Sequence, residues 1–199
     1  MPNFTDLTGL GGVAVATSAA CLLIPGIVRF NRPQLIVLLA AVFVLMLAPL
    51  AGMPLAAYVR GVSGDFSITM LVLLCWALLR LGSGCGKEDI NARNELLALI
   101  ALLALLLYPL ALGLSSFDPY HLGYGYSWFV ACLLFIALSA WARKSYLISI
   151  CISLAVVAWA LGWYESNNLW DYLLDPWLGI YALFSITRRA TGALLKSER

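Results

Sequence analysis

Long apolar blocks separated by short polar punctuation run along the whole chain. They cover approximately 8–28, 35–58, 67–82, 96–114, 127–142, 146–163 and 176–187. A bilayer core of about 30 Å takes roughly 20 apolar residues per helix. The pattern therefore predicts an all-α, polytopic transmembrane helix bundle of about seven helices. One domain over 1–189 is followed by a short cytoplasmic tail at 190–199. Pro49 and Pro54 predict a kink or an early end in the second helix. The last block is too short to cross a bilayer alone, so either the bilayer thins, the helix hides in the bundle, or it begins near Leu169.

Composition agrees with this reading. The chain is 63% hydrophobic and 11% charged, against about 25% charged in soluble domains. Four of the five cysteines lie within apolar blocks and none forms a Cys-x-x-Cys pair, so they are read as small hydrophobes. The segment "MPNFTDLTGL" has no basic residue ahead of its apolar run. It lacks the basic n-region of a cleavable signal peptide, and the first block is expected to be retained.

The twelve basic residues sort by side. Arg29, Arg32, Arg80, Lys87, Arg93, Arg143, Lys144, Arg188, Arg189, Lys196 and Arg199 share one face if the N-terminus is outside. Arg60 alone falls on the other. Cytoplasmic loops carry the Lys and Arg excess, which sets the N-terminus out and the C-terminus in, in a plasma membrane of bacterial inner-membrane type. Asp6, Asp65, Asp118, Glu165, Asp171 and Asp175 fall outside, whereas Glu88, Asp89, Glu95 and Glu198 fall inside. Asp6, Asp65, Asp118 and Asp175 precede inward-running helices that end near arginines, the polarity a helix dipole favours.

Candidate chemistry gathers on the outer side. Asp118-Pro119-Tyr120 and Asp175-Pro176-Trp177 read as one device used twice: an Asp N-cap, a proline at the first helical position and an aromatic at headgroup depth. His121 is the sole histidine, able to titrate near neutral pH, with Asp118, Glu165 or Asp171 as prospective neighbours. Being alone, it excludes a bis-histidine haem or a histidine-rich metal site. The stretch 165–177, "ESNNLWDYLLDPW", has two readings. As an interfacial turn of helix over 168–174 it is a connector. As the start of the last helix it sets Asp171 and Asp175 on one face. If the pair shares a pocket, repulsion raises one pKa and makes an acid–base couple.

Several resemblances stop short. "GYGYS" within 123–127 resembles the potassium-channel filter Thr-Val-Gly-Tyr-Gly, but His121 and Leu122 stand at the Thr-Val positions and a full span precedes it. Its glycines are read as loosening the loop or letting helices approach. "GVSG", 61–64, resembles the Gly-x-Ser-Gly of rhomboid intramembrane proteases over four residues, which would pair Ser63 with His121. The second histidine of that family is absent and the glycines after His121 come at +2 and +4. Gly61 and Gly64 are read as turn residues. The glycine-rich "RLGSGCGK" lacks the phosphate-loop spacing and is read as a connector. The interiors of the first six blocks hold no Asp, Glu, Lys, Arg or His, Arg80 standing near the end of the third, which argues against a proton pump or antiporter. The last block has no lysine for a retinal Schiff base. Thr17, Ser18, Thr69, Ser139, Ser149 and Ser153 are expected to bond their own or a neighbouring helix.

Three function classes remain. The first is a non-catalytic subunit or assembly partner that binds membrane proteins or lipid through its extracytoplasmic face. The second is a small membrane enzyme acting on a lipid-linked head group or glycan. It would use Asp118, His121, Glu165, Asp171 and Asp175, with Tyr120, Tyr124, Trp170 and Trp177 as a ligand-stacking rim. The third is an uncharged-solute carrier or binding subunit. Membrane lipids and another membrane protein are the expected partners; no nucleic acid, metal or cofactor is called for.

Overall fold

The computed structural model describes residues 4–24, 27, 30–80 and 87–197. Arg29, Glu198, Arg199 and the glycine-rich stretch 81–86 with Cys85 lie outside these residues, as do the side chains of Lys87, Glu88, Asp89 and Lys196. The fold is mostly helical. Its α-helices are α1 (Phe4–Ala20), α2 (Arg32–Leu47), α3 (Leu55–Ser63), α4 (Ile68–Arg80), α5 (Lys87–Pro109), α6 (Ser127–Ala142), α7 (Tyr146–Ala160), α8 (Leu169–Leu173) and α9 (Pro176–Ser197). A π-helical turn, Leu110–Leu114, extends α5, and a 3₁₀ turn, Pro119–Gly123, precedes α6.

The second apolar block does end early. α2 stops at Leu47, and Pro49–Leu50 pairs antiparallel with Met53–Pro54 through Ala51 and Gly52, both at positive φ. The remainder forms α3, a separate helix. The last block is longer than the apolar pattern implies. α9 carries on through Arg188 and Arg189 to Ser197, because Ala, Leu and Lys beyond them favour helix.

Length trims the expected crossings. Ile90–Leu114, with 25 residues, is long and apolar enough to cross a membrane. Arg32–Leu47, Ile68–Arg80, Ser127–Ala142 and Tyr146–Ala160 are apolar but shorter. Among the described residues one helix therefore meets the length expected of a crossing.

Small residues let the helices close up. Among the described residues two cores form. The larger unites α4 to α9 around Leu97, Cys151, Ala155, Tyr172, Leu178 and Ala182. The smaller joins α1, α2 and α3 through Val13, Ala14, Met46 and Ala56. α1 bridges the two by packing on α4. There a Cβ on Gly12 would press on Leu71 at 3.3 Å. Hydroxyls behave as expected of glue. Thr17 and Ser18 donate to Val13 O and Ala14 O one turn back, and Ser149 donates across to Ala137 O at 2.6 Å.

The outward sides of several helices stay apolar. Phe135, Leu138, Leu105, Ile36, Val37 and Phe184 are all largely exposed, with Phe135 at 72%.

Candidate functional site

The site sits at one end of the bundle, where the start of α1, the α3–α4 turn, the 3₁₀ turn and the α7–α8–α9 connection meet. Its centre is Asp175. The carboxylate is 4% exposed. Its Oδ1 accepts from Leu178 N at 2.8 Å, capping α9. Its Oδ2 accepts from Ser67 N at 2.9 Å and Ser67 Oγ at 2.7 Å. Ser67 Oγ in turn accepts from Met70 N at 3.1 Å, capping α4. Two helix N-termini therefore face one buried carboxylate, and both dipoles favour its charge.

Asp171 is the second carboxylate. Tyr120 Oη donates to it at 3.0 Å, and Ser166 Oγ makes a short bond to Oδ2. Leu174, with φ −145°, breaks the helix between Asp171 and Asp175. The two are therefore not stacked on one helix face; residues 169–173 form the separate turn α8. They nevertheless line one small pocket of about 200 Å³, together with Asp65, Tyr164 and Ser166.

Asn168 holds this region together. It is fully buried. Its Oδ1 accepts from Trp170 N at 3.0 Å, capping α8, and its Nδ2 donates to Tyr120 O at 3.0 Å. Trp170 Nε1 donates to Pro119 O at 3.0 Å, and its ring packs on Phe129. Tyr172 Oη accepts from Tyr164 N at 3.0 Å and bonds to Ser166 O at 3.0 Å, while Tyr164 Oη donates to Phe66 O at 2.8 Å. Burial raises the pKa of Tyr164, of Tyr172 and of Tyr120, and for Tyr120 the Asp171 charge adds to it.

Arg60, the sole outer base in the charge pattern, is the hub of the acids. Its Nε meets Asp65 at 2.6 Å, Nη1 meets Asp6 at 3.2 Å and Nη2 approaches Glu165 at 3.9 Å. The Asp65 hydrogen bonds hold the guanidinium pKa above its ordinary range. The pair lies directly on α1, where a Cβ on Gly9 would collide with Asp65 Oδ1 and Arg60 Cζ.

An apolar groove of about 550 Å³ runs beside this network between α5 and α9. Ala104, Tyr108, Ala111, Gly179 and Leu183 line it, and Tyr120 and Asp171 close its end. Tyr108 Oη is buried without a hydrogen-bond partner among the described residues.

Several sequence expectations change. Asp118 caps the 3₁₀ turn through Tyr120 N at 2.9 Å, not a long helix; α6 starts further on, at Ser127. Asp175 is the true helix cap of the pair. His121 meets Tyr126 Oη at 2.9 Å and packs near Tyr124. Among the described residues no carboxylate bonds its ring, so the anticipated carboxylate neighbours are not brought to it. Trp170 is buried rather than part of an exposed rim, whereas Tyr124 and Trp177 are exposed. Ser63 donates within its own segment, to Val59 O at 3.0 Å. Gly64 has φ +73°, as a turn glycine requires, but Gly61 lies within α3. Missed in the sequence were Asn168, Ser67 and Gly9. An Asn two residues ahead of Trp170 and a Ser two ahead of Thr69 are cap signals that the surrounding apolar blocks obscured.

Compared with protein-family models, with curated proteins and with solved structures, the chain matches none.

Proposed function

We propose that the chain is a multi-pass helix bundle of a plasma membrane, of bacterial inner-membrane type, with the acid-rich end outside. In this reading it is a non-catalytic subunit that docks a membrane protein or a lipid through that end. The exposed apolar flanks of α2, α5, α6, α7 and α9 support the placement, since lipid is the solvent that suits them. Helices of 13 to 16 residues reach roughly 20–24 Å, so flanking turns and local thinning make up the rest.

One observation carries the non-catalytic reading. Most acids on this face are held in structural bonds: Asp175 to two helix ends, Asp118 to a turn, and Asp6 and Asp65 to Arg60, while Asp171 meets only hydroxyls and exposed Glu165 only approaches Arg60. None is paired with His121. The test is site-specific photocrosslinking in intact cells, with the probe at exposed Tyr124 or Trp177. A stoichiometric adduct at these positions, lost at a control position such as Arg143, is the expected result. Absence of any adduct, with the chain purifying as an isolated monomer, counts against docking.

A second reading keeps one specific support. Asp171 is the one acid that lines both the apolar groove and the acidic pocket, as an enzyme acting on a lipid-linked head group would require. Turnover of such a substrate that Asp171→Ala abolishes, at unchanged expression, would favour it over docking.

A further inference from the structure

Two cavities of opposite character meet at Asp171. On one side is the groove of about 550 Å³, walled by small and aliphatic side chains of α5 and α9. Its section suits a hydrocarbon chain. On the other is the pocket of about 200 Å³ with Asp65, Asp171 and Asp175 on its walls. Asp65 is balanced by Arg60. Among the described residues no Arg or Lys pairs with Asp171 or Asp175; Asp175 is met by two helix N-termini, whereas Asp171 is met only by hydroxyls. A carboxylate has about four lone-pair sites, and the Tyr120 and Ser166 hydroxyls leave Asp171 room to accept more. No three of the described Asp, Glu, His or Cys residues converge as metal ligands, so the charge addresses a larger cation. Within the groove, Tyr108 Oη is buried with no hydrogen-bond partner among the described residues. Buried polar atoms are rarely left so, and an ester carbonyl beside the head of a lipid chain would accept from it.

We propose that this joined cavity binds one bilayer lipid with an ammonium head group. Its chain lies along α5 and α9, its ester carbonyl accepts from Tyr108, and its ammonium donates to Asp171. A lipid with a net anionic head is disfavoured by the acidic lining of the pocket. The proposal rests on the membrane placement given above and deepens its lipid-docking branch.

The test uses the full chain purified in maltoside micelles and titrated separately with phosphatidylethanolamine, phosphatidylglycerol and diacylglycerol. Native mass spectrometry reads the lipid retained. Phosphatidylethanolamine should be retained about tenfold better than the other two, the size of one charge-assisted hydrogen bond. Asp171→Asn should erase that preference. Ala111→Phe, on the exposed lip of the groove, should block retention of all three. Tyr108→Phe should weaken retention without lowering the thermal midpoint of the lipid-free protein. Equal retention of the three lipids overturns the proposal, as does selectivity that survives Asp171→Asn. Stripping of the chain from membranes by alkaline carbonate would instead overturn the membrane placement itself. A chain that resists stripping yet shows no selectivity removes this inference alone.

Discussion

Gly123 shows how a single position is dictated by its surroundings. Any Cβ there overlaps Asn168 Oδ1 and sits 2.8 Å from Trp170 Cδ1. Neither neighbour can yield without losing the cap of α8. Gly123→Ala is expected to cost about 1–3 kcal/mol as overpacking, seen as a lower thermal midpoint by tryptophan fluorescence. Gly125, by contrast, is demanded by backbone, with φ +89°. Asp175→Ala strands two backbone donors and the Ser67 hydroxyl, an expected loss of about 3 kcal/mol in the same measurement. Asp175→Asn keeps an acceptor oxygen and should recover part of it. The phenols of Tyr120, Tyr164 and Tyr172 titrate above their ordinary pKa because of burial. The unfolded chain ionises first, so their stabilisation is whole below about pH 10 and is lost as pH rises through the folded values. Phenolate absorbance should therefore lag in the folded protein and jump on denaturation. A full tyrosine titration at the ordinary pKa without unfolding would contradict it.

Elements here are set by their ends. α2 opens with a capping box, in which Asn31 Oδ1 accepts from Gln34 N and Gln34 Oε1 accepts from Asn31 N. It closes where Pro49 forbids another turn. α8 is a single turn held by Asn168, and its role is to present Trp170 inward and Asp171 toward the groove. α9 packs on α5 through Gly179, where a Cβ would lie 3.2 Å from Tyr108 Cε2 and 3.3 Å from Ala104 Cβ. Gly179→Val adds an isopropyl group at that seam. It should destabilise by about 1–3 kcal/mol, whereas Gly192→Val, which meets nothing within 4 Å, should not exceed the helix-propensity effect. Equal midpoints for the two variants would refute close packing at that seam.

At the scale of the molecule, polarity is the organising feature. Asp6, Arg60, Asp65, Glu165, Asp171 and Asp175 meet at one end. Glu95 accepts from Ser145 Oγ at 2.6 Å at the other, beside Arg143 and Lys144 in sequence. With the acid-rich end outside, Tyr124→Cys in intact cells should react with a membrane-impermeant maleimide, and Arg143→Cys should react only after lysis. The reverse labelling would invert the proposed orientation and move the cavity to the cytoplasmic side.

The apolar blocks by themselves determined that the fold is helical and where its main helices lie, because burial or lipid contact of a whole block leaves little choice of backbone. Asp175-Pro176 declared a helix start for the same local reason, since capping involves neighbours in sequence. Tertiary structure alone decided which acids meet. Asp175 reaches Ser67 across 108 positions, Arg60 reaches Asp6 across 54, and Asp171 is turned to the groove only because Leu174 leaves helical geometry. A carboxylate's partners depend on how helices pack, and nothing in the spacing of residues encodes that distance. Helix length, too, was not readable from hydropathy: apolar blocks measure what a segment tolerates, whereas caps and prolines decide how long its helix is.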